Sequence, residues 1–141
     1  MIKKLKKAEI AHARDLLKDN GLPYSDIEND SVRLYSIRQD NQIIGIIGFE
    51  QYDKYGLLRS FVIESRYRSK GLGAQVLCDF EWMVSEKGIE EFYLLTTTAD
   101  KFFARNGFEV IDRNKVPSSI AGTNEFDSIC PATAVCMRKL L

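Results

Sequence analysis

The chain has 141 residues and a mass of 16.1 kDa, about the size of one ordinary domain. Hydrophobic residues make up 45% of it and aromatic residues 11%, so most of the chain can bury a core rather than remain disordered. Its 20 basic and 20 acidic side chains balance, which gives no overall field for binding nucleic acid or an anionic membrane. The longest apolar run, 43–49, is far shorter than a membrane-spanning helix requires. We therefore expect neither a nucleic-acid nor a membrane partner.

The cysteine and histidine content excludes further kinds of site. Cys78, Cys130 and Cys136 are odd in number and lack the two-residue spacing of zinc and redox motifs, which predicts free thiols in a cytoplasmic protein. His12 is the single histidine of the sequence and falls in a predicted exposed helix, so neither a Ser-His-Asp triad nor a histidine-based metal site is expected. The basic opening is not followed by an apolar segment, so we expect the mature chain to begin at Met1.

Apolar spacing and turn residues predict the elements of the first half of the chain. Helical spacing ends at Asn20-Gly21, and Asp40-Asn41 separates two strands of a predicted hairpin. In chain order, the predicted elements are a strand at 2–6, a helix at 9–18, a short helix or turn near 25–29, and strands at 32–39, 42–51 and 57–63.

The second half continues this alternation. The predicted elements are a helix at 71–86, a strand at 91–96, a short helix at 99–105, and strands at 108–111 and 134–140. A connection of about twenty residues separates the last two strands, and its length favours a functional loop with a little helix of its own. Because the sequence has no repeat or linker, we interpret residues 1–141 as one domain built on a mixed α/β sheet.

The strongest local motif, Arg68-x-x-Gly71-x-Gly73, lies between the third long strand and the predicted helix. Glycines at the start of a helix let a ligand approach the backbone, and the N–H groups and helix dipole there attract phosphate. Arg66, Arg68 and Lys70 add positive charge. A pyrophosphate site is one interpretation, and a glycine turn with surface basic residues is the other.

The elements on either side of this motif, taken together with it, resemble a known family. The loop follows a late strand of an antiparallel meander and precedes a strand, a short helix and Ala99-x-x-Phe102-Phe103-x-x-x-Gly107-Phe108. Over essentially the whole chain, the sequence resembles the GNAT superfamily of acetyl-CoA-dependent N-acetyltransferases. The resemblance implies the GNAT fold, a mixed, mostly antiparallel sheet flanked by helices, with acetyl-CoA as co-substrate and no metal. The cofactor-binding residues that it implies are Phe61, Ile63, Arg68, Ser69, Lys70, Gly71, Leu72, Gly73, Ala74 and Phe103.

A narrower resemblance concerns the acceptor. Parts of the second half look like the GNAT subfamily found in arsenic-resistance operons, and some are similar to the acetyltransferase domain of glutamate N-acetylating enzymes. Both imply a small, amino-acid-like amine as the acceptor. The segments that carry these resemblances are Leu58-Arg59-Ser60, Tyr93-Leu94-Leu95-Thr96-Thr97-Thr98, Phe102-Phe103-Ala104-Arg105, Val116-Pro117 and 128–137.

Two positions depart from the family pattern. Many GNAT enzymes carry a tyrosine that protonates the leaving thiolate where this chain has Phe103, and an asparagine where it has Thr96. Because a phenyl ring cannot donate a proton, we predict that Phe103 is a packing residue bordering the thioester pocket. A water, another hydroxyl or departure of an unprotonated thiolate then completes the reaction.

The general base is assigned to Glu50, on the strand beside the cofactor strand, whereas Glu64 is expected to cap or face solvent. A chain of water molecules is the alternative. It would suffice more readily for an α-amine, with a pKa of about 8, than for a lysine-like amine at about 10.4.

Arg59 interrupts an apolar strand, where a cation needs an anionic partner. Strand alternation predicts that it shares a face with Phe61 and Ile63. Its partner is either Glu50 or Asp53, in a salt bridge, or the carboxylate of the acceptor, to which the two parallel N–H groups of a guanidinium are suited.

The late loop is expected to cover the acceptor. Ser128 and Cys130 are assigned to the acceptor site together with Arg59. Cys130 is also a candidate ligand for an arsenical, although a lone cysteine more often is a small core residue.

Three functions follow from these observations. The leading one is transfer of acetyl from acetyl-CoA to a small-molecule amine, in a protein that could form a homodimer. A coenzyme-A-binding regulatory or sensor domain with little turnover is the second, and the missing tyrosine supports it. Acetylation of a protein N-terminus or lysine is the third, although the long late loop fits a small acceptor better.

Overall fold

The computed structural model describes residues 1–129 and 131–141, without the side chains of Ser128 and Ile129. The strands are β1 (Ile2–Lys4), β2 (Arg33–Gln39), β3 (Gln42–Tyr52), β4 (Tyr55–Ile63), β5 (Glu91–Thr96), β6 (Glu109–Val110) and β7 (Val135–Leu140). The helices are α1 (Ile10–Asp19), α2 (Leu72–Ser85), α3 (Asp100–Arg105) and α4 (Ser118–Ala121). None of the helices in these residues is long and apolar enough to cross a membrane.

The strands form one seven-stranded sheet in the order β1-β2-β3-β4-β5-β7-β6. Five of the neighbouring pairs are antiparallel, and β4 with β5 is the parallel pair. This confirms the predicted mixed, mostly antiparallel sheet flanked by helices. The predicted elements are present with small shifts at their ends. The 25–29 passage, predicted as a short helix or turn, is a turn, and β6 is shortened to two residues.

The parallel pair is short. Tyr55–Leu57 is hydrogen-bonded to Glu91–Tyr93, and the pairing ends there although both strands continue to Ile63 and Thr96. The sheet therefore opens along the rest of β4 into a gap, which we call the β4–β5 cleft. The α2 helix makes the connection between these two strands.

A β-bulge lies in β4 beside this cleft. Gly48 pairs with Arg59, but two residues earlier on β3 Ile46 pairs with Val62, so β4 carries one extra residue between these pairs. Ser60 lies within this bulge, and its φ of +58° is rare for a residue with a side chain.

The extra residue inverts the alternation of side chains along β4. Phe61 and Ile63 pack in the same cluster as Leu58, whereas Val62 packs on the opposite face. The prediction that Arg59 shares a face with Phe61 and Ile63 is therefore wrong, because strict alternation does not survive a bulge.

The core has a part on each face of the sheet. One face packs against α2 and α3 through side chains that include Phe80, Val84 and Phe103. The other packs against α1 at one end, and at the other end against the connection between β6 and β7.

The connection between β6 and β7, residues 111–134, has structure of its own, as predicted. It contains α4 and a π-helical turn at Glu125–Ile129. Ile120 and Phe126 are buried against Leu57 and Tyr93. Arg113 donates hydrogen bonds to the carbonyl oxygens of Phe126 at 2.6 Å and Pro131 at 3.0 Å. This late connection therefore packs as part of the fold.

Close approach of β3 and β4 depends on Gly45. A Cβ atom at this position would lie 2.4 Å from the carbonyl oxygen of Val62, which is backbone and cannot rotate away. Gly45→Ala should lower the free energy of unfolding by about 1–3 kcal/mol in chemical denaturation. Gly122→Ala is the matched control, because its nearest neighbour is at 3.4 Å and the change should stay within about 0.5 kcal/mol. Equal stabilities of the two variants would contradict this account.

Candidate active site

The start of α2 has the geometry of an anion site. Gly71 precedes the helix with a φ of +77°, and Ser69 has a φ of +66°. The first backbone N–H groups of a helix have no carbonyl partner within it, and they carry the positive end of the helix dipole. The segment from Ser69 to Ala74 thus presents N–H groups at the far end of β4.

Arg68 holds this segment in place. Its Nε donates to the carbonyl oxygen of Ile63 at 2.6 Å, and its Nη2 donates to Oδ1 of Asn20 at 2.7 Å. The loop is thereby tied to the end of β4 and to the residue after α1. Lys70 is exposed, and Arg66 forms a 3.5 Å ion pair with Glu64.

Gly73 lets α2 approach α3. A Cβ atom there would lie 3.3 Å from the ring of Phe102, tighter than ordinary packing. The Phe103 ring is buried and packs against the rings of Phe61 at 6.3 Å, Phe102 at 5.2 Å and Phe108 at 5.4 Å between centroids. An aromatic cluster thus lines the sheet face beside the β4–β5 cleft. Phe103 packs within this cluster, and its predicted place beside the thioester stays a prediction.

A buried cluster of charges lies on the other face, beside the bulge. Arg59 has a fully buried side chain and donates to Asp26 in a bidentate pair, at 2.8 Å and 2.5 Å. Its Nη1 also donates to Glu50 at 2.9 Å, and its Nε donates to Oγ of Ser60 at 3.1 Å. The salt bridge to Glu50 predicted as one alternative is present, and Asp26 takes the place of Asp53.

The charges of this cluster stabilise one another. Burial alone opposes ionisation of Asp26, but the hydrogen bonds and charge of Arg59 hold the pKa of that carboxyl below its ordinary value. Burial likewise opposes the charge of Arg59, yet its carboxylate partners raise its pKa. Burial, together with a 2.5 Å hydrogen bond to Glu50, raises the pKa of Tyr52 to about 12.

Glu125 brings a third carboxylate to this cluster from the late connection. Its residue is 4% exposed, and among the described groups, which leave out the side chains of Ser128 and Ile129, none donates a hydrogen bond to its carboxylate. Burial raises the pKa of Glu125 to about 7; the charge of Arg59 opposes the rise, and those of Glu50 and Asp26 add to it. We call Arg59, Asp26, Glu50 and Glu125 the Arg59 cluster.

Sequence patterns did not identify Asp26 or Glu125. Both lie in connections without strand or helix periodicity, and neither belongs to a recognisable motif. The one signal in the sequence was Arg59, because a cation on an apolar strand needs an anionic partner. Of the assigned acceptor residues, Cys130 lies outside the described residues, as does the side chain of Ser128. Within the described part of the chain, no group of His, Cys, Asp or Glu side chains is arranged to hold a metal ion.

The buried pairing of Arg59 can be tested by stability. Arg59→Lys keeps the charge but loses the fork that reaches both Asp26 and Glu50, so we expect a loss of about 1.5–3 kcal/mol in free energy of unfolding. Arg14→Lys is the control, since Arg14 forms an exposed 3.4 Å pair with Glu28 and the change should stay within about 0.5 kcal/mol. A melting temperature unchanged by Arg59→Lys would refute the structural role of this pairing.

Glu125 should make stability depend on pH. The pKa of Glu125 is about 7 in the folded protein against an ordinary value of 4.5, so the folded protein binds the proton more tightly than the unfolded chain. Below pH 4.5 the carboxyl is protonated in both states, so its full contribution to the free energy of unfolding is present. As the pH rises to 7, the unfolded chain loses the proton first, and the free energy of unfolding falls progressively. We expect Glu125→Gln to raise the melting temperature by several degrees at pH 8 and by little at pH 5. The exposed neighbour variant Asp127→Asn should follow the wild type at both values. A constant difference across this range would contradict the raised pKa.

Comparisons with known proteins identify a matching family model, a relative in sequence and similar solved structures. Residues 30–110 match the family model described as acetyltransferase (GNAT) domain. An uncharacterised N-acetyltransferase of Chlorobaculum tepidum is 31% identical over 80 residues, which are 56% of this chain and 51% of that protein. The chain thus spans about half the length of this relative.

Two solved structures illustrate the similarity in fold. N-acetylglutamate synthase of Neisseria gonorrhoeae, complexed with coenzyme A and N-acetyl-glutamate, has a TM-score of 0.81 and 15% identity, covering 100% of this chain and 35% of that one. An acetyltransferase of the GNAT family from Staphylococcus aureus has a TM-score of 0.78 and 19% identity, covering 100% of this chain and 98% of that one. With its family-model match over more than half its length, the chain belongs to the GNAT acetyltransferase family.

Proposed function

We propose that this protein transfers the acetyl group of acetyl-CoA to the amine of a small, amino-acid-like acceptor. The observation that carries the proposal is the β4–β5 cleft, which leaves the backbone of β4 beyond Leu57 without a partner strand on that side. The cleft leads from the β4 bulge to the start of α2. A long ligand with amide groups and a pyrophosphate at one end fits this arrangement.

In this proposal each part of acetyl-CoA binds where its chemistry finds a suitable partner. Its pyrophosphate binds the N–H groups at the start of α2, in the segment Arg68, Ser69, Lys70, Gly71, Leu72, Gly73 and Ala74. Its pantetheine arm follows β4 past Ile63 and Phe61, and the thioester lies near Phe103. A backbone N–H group at the bulge polarises the thioester carbonyl as negative charge develops on its oxygen. In this placement Arg68 acts through position and charge, since its Nε and one Nη are already engaged.

The acceptor approaches from the face that carries the Arg59 cluster. The amine attacks the thioester carbon directly, and the coenzyme A thiolate leaves. Phe103 supplies no proton, so a water or a hydroxyl protonates the sulfur. The N-acetylglutamate synthase structure, with its small amino-acid product, supports an acceptor of this size in this fold.

Two of the predicted acceptor-site residues, Arg59 and Glu50, are already engaged within the protein. An acceptor carboxylate would have to displace Asp26 or Glu50 to reach Arg59, so the engaged guanidinium supports a structural role. Both oxygens of Glu50 accept hydrogen bonds, from Tyr52 and from Arg59. Their roles in binding and as general base stay predictions, as do those of Ser128 and Cys130.

Other expectations rest on the sequence alone. A connection with arsenic resistance, a cytoplasmic location, a single domain over 1–141 and a homodimer stay predictions. A regulatory domain that binds coenzyme A without turnover remains the competing function. Release of free thiol from acetyl-CoA in the presence of a panel of small amines distinguishes it from the enzyme, because only the enzyme releases thiol in proportion to acceptor.

The cofactor site is tested by Gly71→Asp and Gly73→Asp. A carboxylate at either position would repel the pyrophosphate, and at Gly73 the side chain would also meet the Phe102 ring, so acetyl-CoA affinity should fall by about tenfold or more in calorimetry. Gly88→Asp is the control, because Gly88 also has a positive φ, of +94°, but follows the opposite end of α2. Unchanged affinity in folded Gly71 and Gly73 variants would refute the site.

A further inference from the structure

We propose that Glu125 binds the protonated amine of the acceptor and removes its proton, and that the acceptor enters as a net cation. This inference rests on the proposed acetyl transfer and names its base and its substrate class. Three features of the Arg59 cluster carry it: a nearly buried carboxylate that forms no ion pair with Arg59, an excess of negative charge, and a position beside the bulge.

The first feature is the state of the Glu125 side chain. Near-complete burial of a carboxylate is costly unless hydrogen bonds replace the water that folding removes. Glu125 is 4% exposed and is held on a turn that Arg113 and Thr123 fix by hydrogen bonds. The fold therefore keeps this carboxylate in an unfavourable place, which a cationic ligand would make favourable.

The second feature is the charge balance. Arg59 is the only cation among three carboxylates in the cluster, and its Nη atoms are taken by Asp26 and Glu50. In the described residues, the ion pairs of Arg59 go to Asp26 and Glu50 and not to Glu125. When Glu125 is ionised, three carboxylates surround one guanidinium, and the cluster has an excess of negative charge. An ammonium group would reduce this excess, whereas a net anionic acceptor would be repelled.

The third feature is location. Asn124, the neighbour of Glu125, places its Nδ2 atom 3.5 Å from Oδ2 of Asp26. Asp26 is paired with Arg59, and Nε of Arg59 donates to Ser60 at the bulge. Glu125 is therefore close enough to Arg59, Glu50 and Asp26 for their charges to interact, on the face from which the proposed acceptor approaches.

Glu50 fits the same task less well. Its two carboxylate oxygens already accept hydrogen bonds from Tyr52 and Arg59, at 2.5 Å and 2.9 Å. Taking a proton there would break the pairing that holds Arg59. Glu125 can gain and lose a proton without disturbing any hydrogen bond of the cluster.

The proton steps balance. The ammonium group gives one proton to the Glu125 carboxylate and becomes a neutral amine. Its nitrogen forms a bond to the thioester carbon, the carbon–sulfur bond breaks, and a second proton from nitrogen reaches the sulfur. Glu125 then releases its proton to solvent, so one amide, one free thiol and one proton are formed. A carboxyl with a pKa of about 7 suits this cycle near neutral pH.

The test compares wild type, Glu125→Gln, Glu125→Asp and Asp127→Asn by thiol release from pH 5.5 to 9. The acceptors are an amino-acid amide, which is a net cation, the free amino acid, and its N-acetylated form as a blank. We expect wild type to prefer the amide by about tenfold or more in kcat/KM. Its kcat/KM should also rise through a titration near pH 7.

Glu125→Gln should lower kcat/KM by about a hundredfold and abolish this titration, with acetyl-CoA affinity unchanged. Glu125→Asp should be slower than wild type but retain the titration, and Asp127→Asn should match wild type.

The outcomes separate the inference from the function on which it rests. A wild-type protein that binds no acetyl-CoA, or that acetylates no amine, would refute the proposed function and this inference with it. Acetyl transfer that is unaffected in rate and pH profile by Glu125→Gln would refute the inference alone. Preference for the free amino acid over its amide would overturn the cationic acceptor.

Discussion

The buried guanidinium of Arg59 holds together two neighbouring strands and a turn that lies 33 residues earlier in the chain. It joins β4, where it originates, to β3 through Glu50 and to the turn after α1 through Asp26. An ion pair in a dry interior is favourable only when its hydrogen bonds are satisfied, and here Nη1 donates twice while Nη2 and Nε donate once each. This face of the sheet therefore depends on one residue whose geometry lysine cannot reproduce.

The bulge in β4 separates this polar cluster from the aromatic one. Because one added residue reverses the direction of every later side chain, Phe61 faces the aromatic cluster while Arg59 faces the carboxylates. A regular strand would put both on one face and mix apolar with charged surface. The bulge lies a few residues after Leu57, where pairing with β5 stops, so one local distortion determines which β4 side chains reach each face beside the cleft.

The sequence predicted what depends on local patterns and missed what depends on irregular segments. Strand and helix positions followed from periodicity, and the 68–74 loop was visible because glycines and basic residues are close in the chain. The face of Arg59 was predicted wrongly, since no residue type marks a bulge at Ser60. Asp26 and Glu125 lie 99 positions apart in connections without periodicity, and only the folded chain brings them together.

The cleft is bounded on one side by main chain rather than by side chains. A substitution can alter the size or charge of a side chain, but it leaves the backbone N–H and C=O groups in place unless the new residue is proline. Substitutions that accumulate along β4 therefore rarely remove the backbone N–H and C=O groups that a ligand would use. This durability is consistent with a chain that keeps the same architecture as proteins with which it shares 15% of its residues.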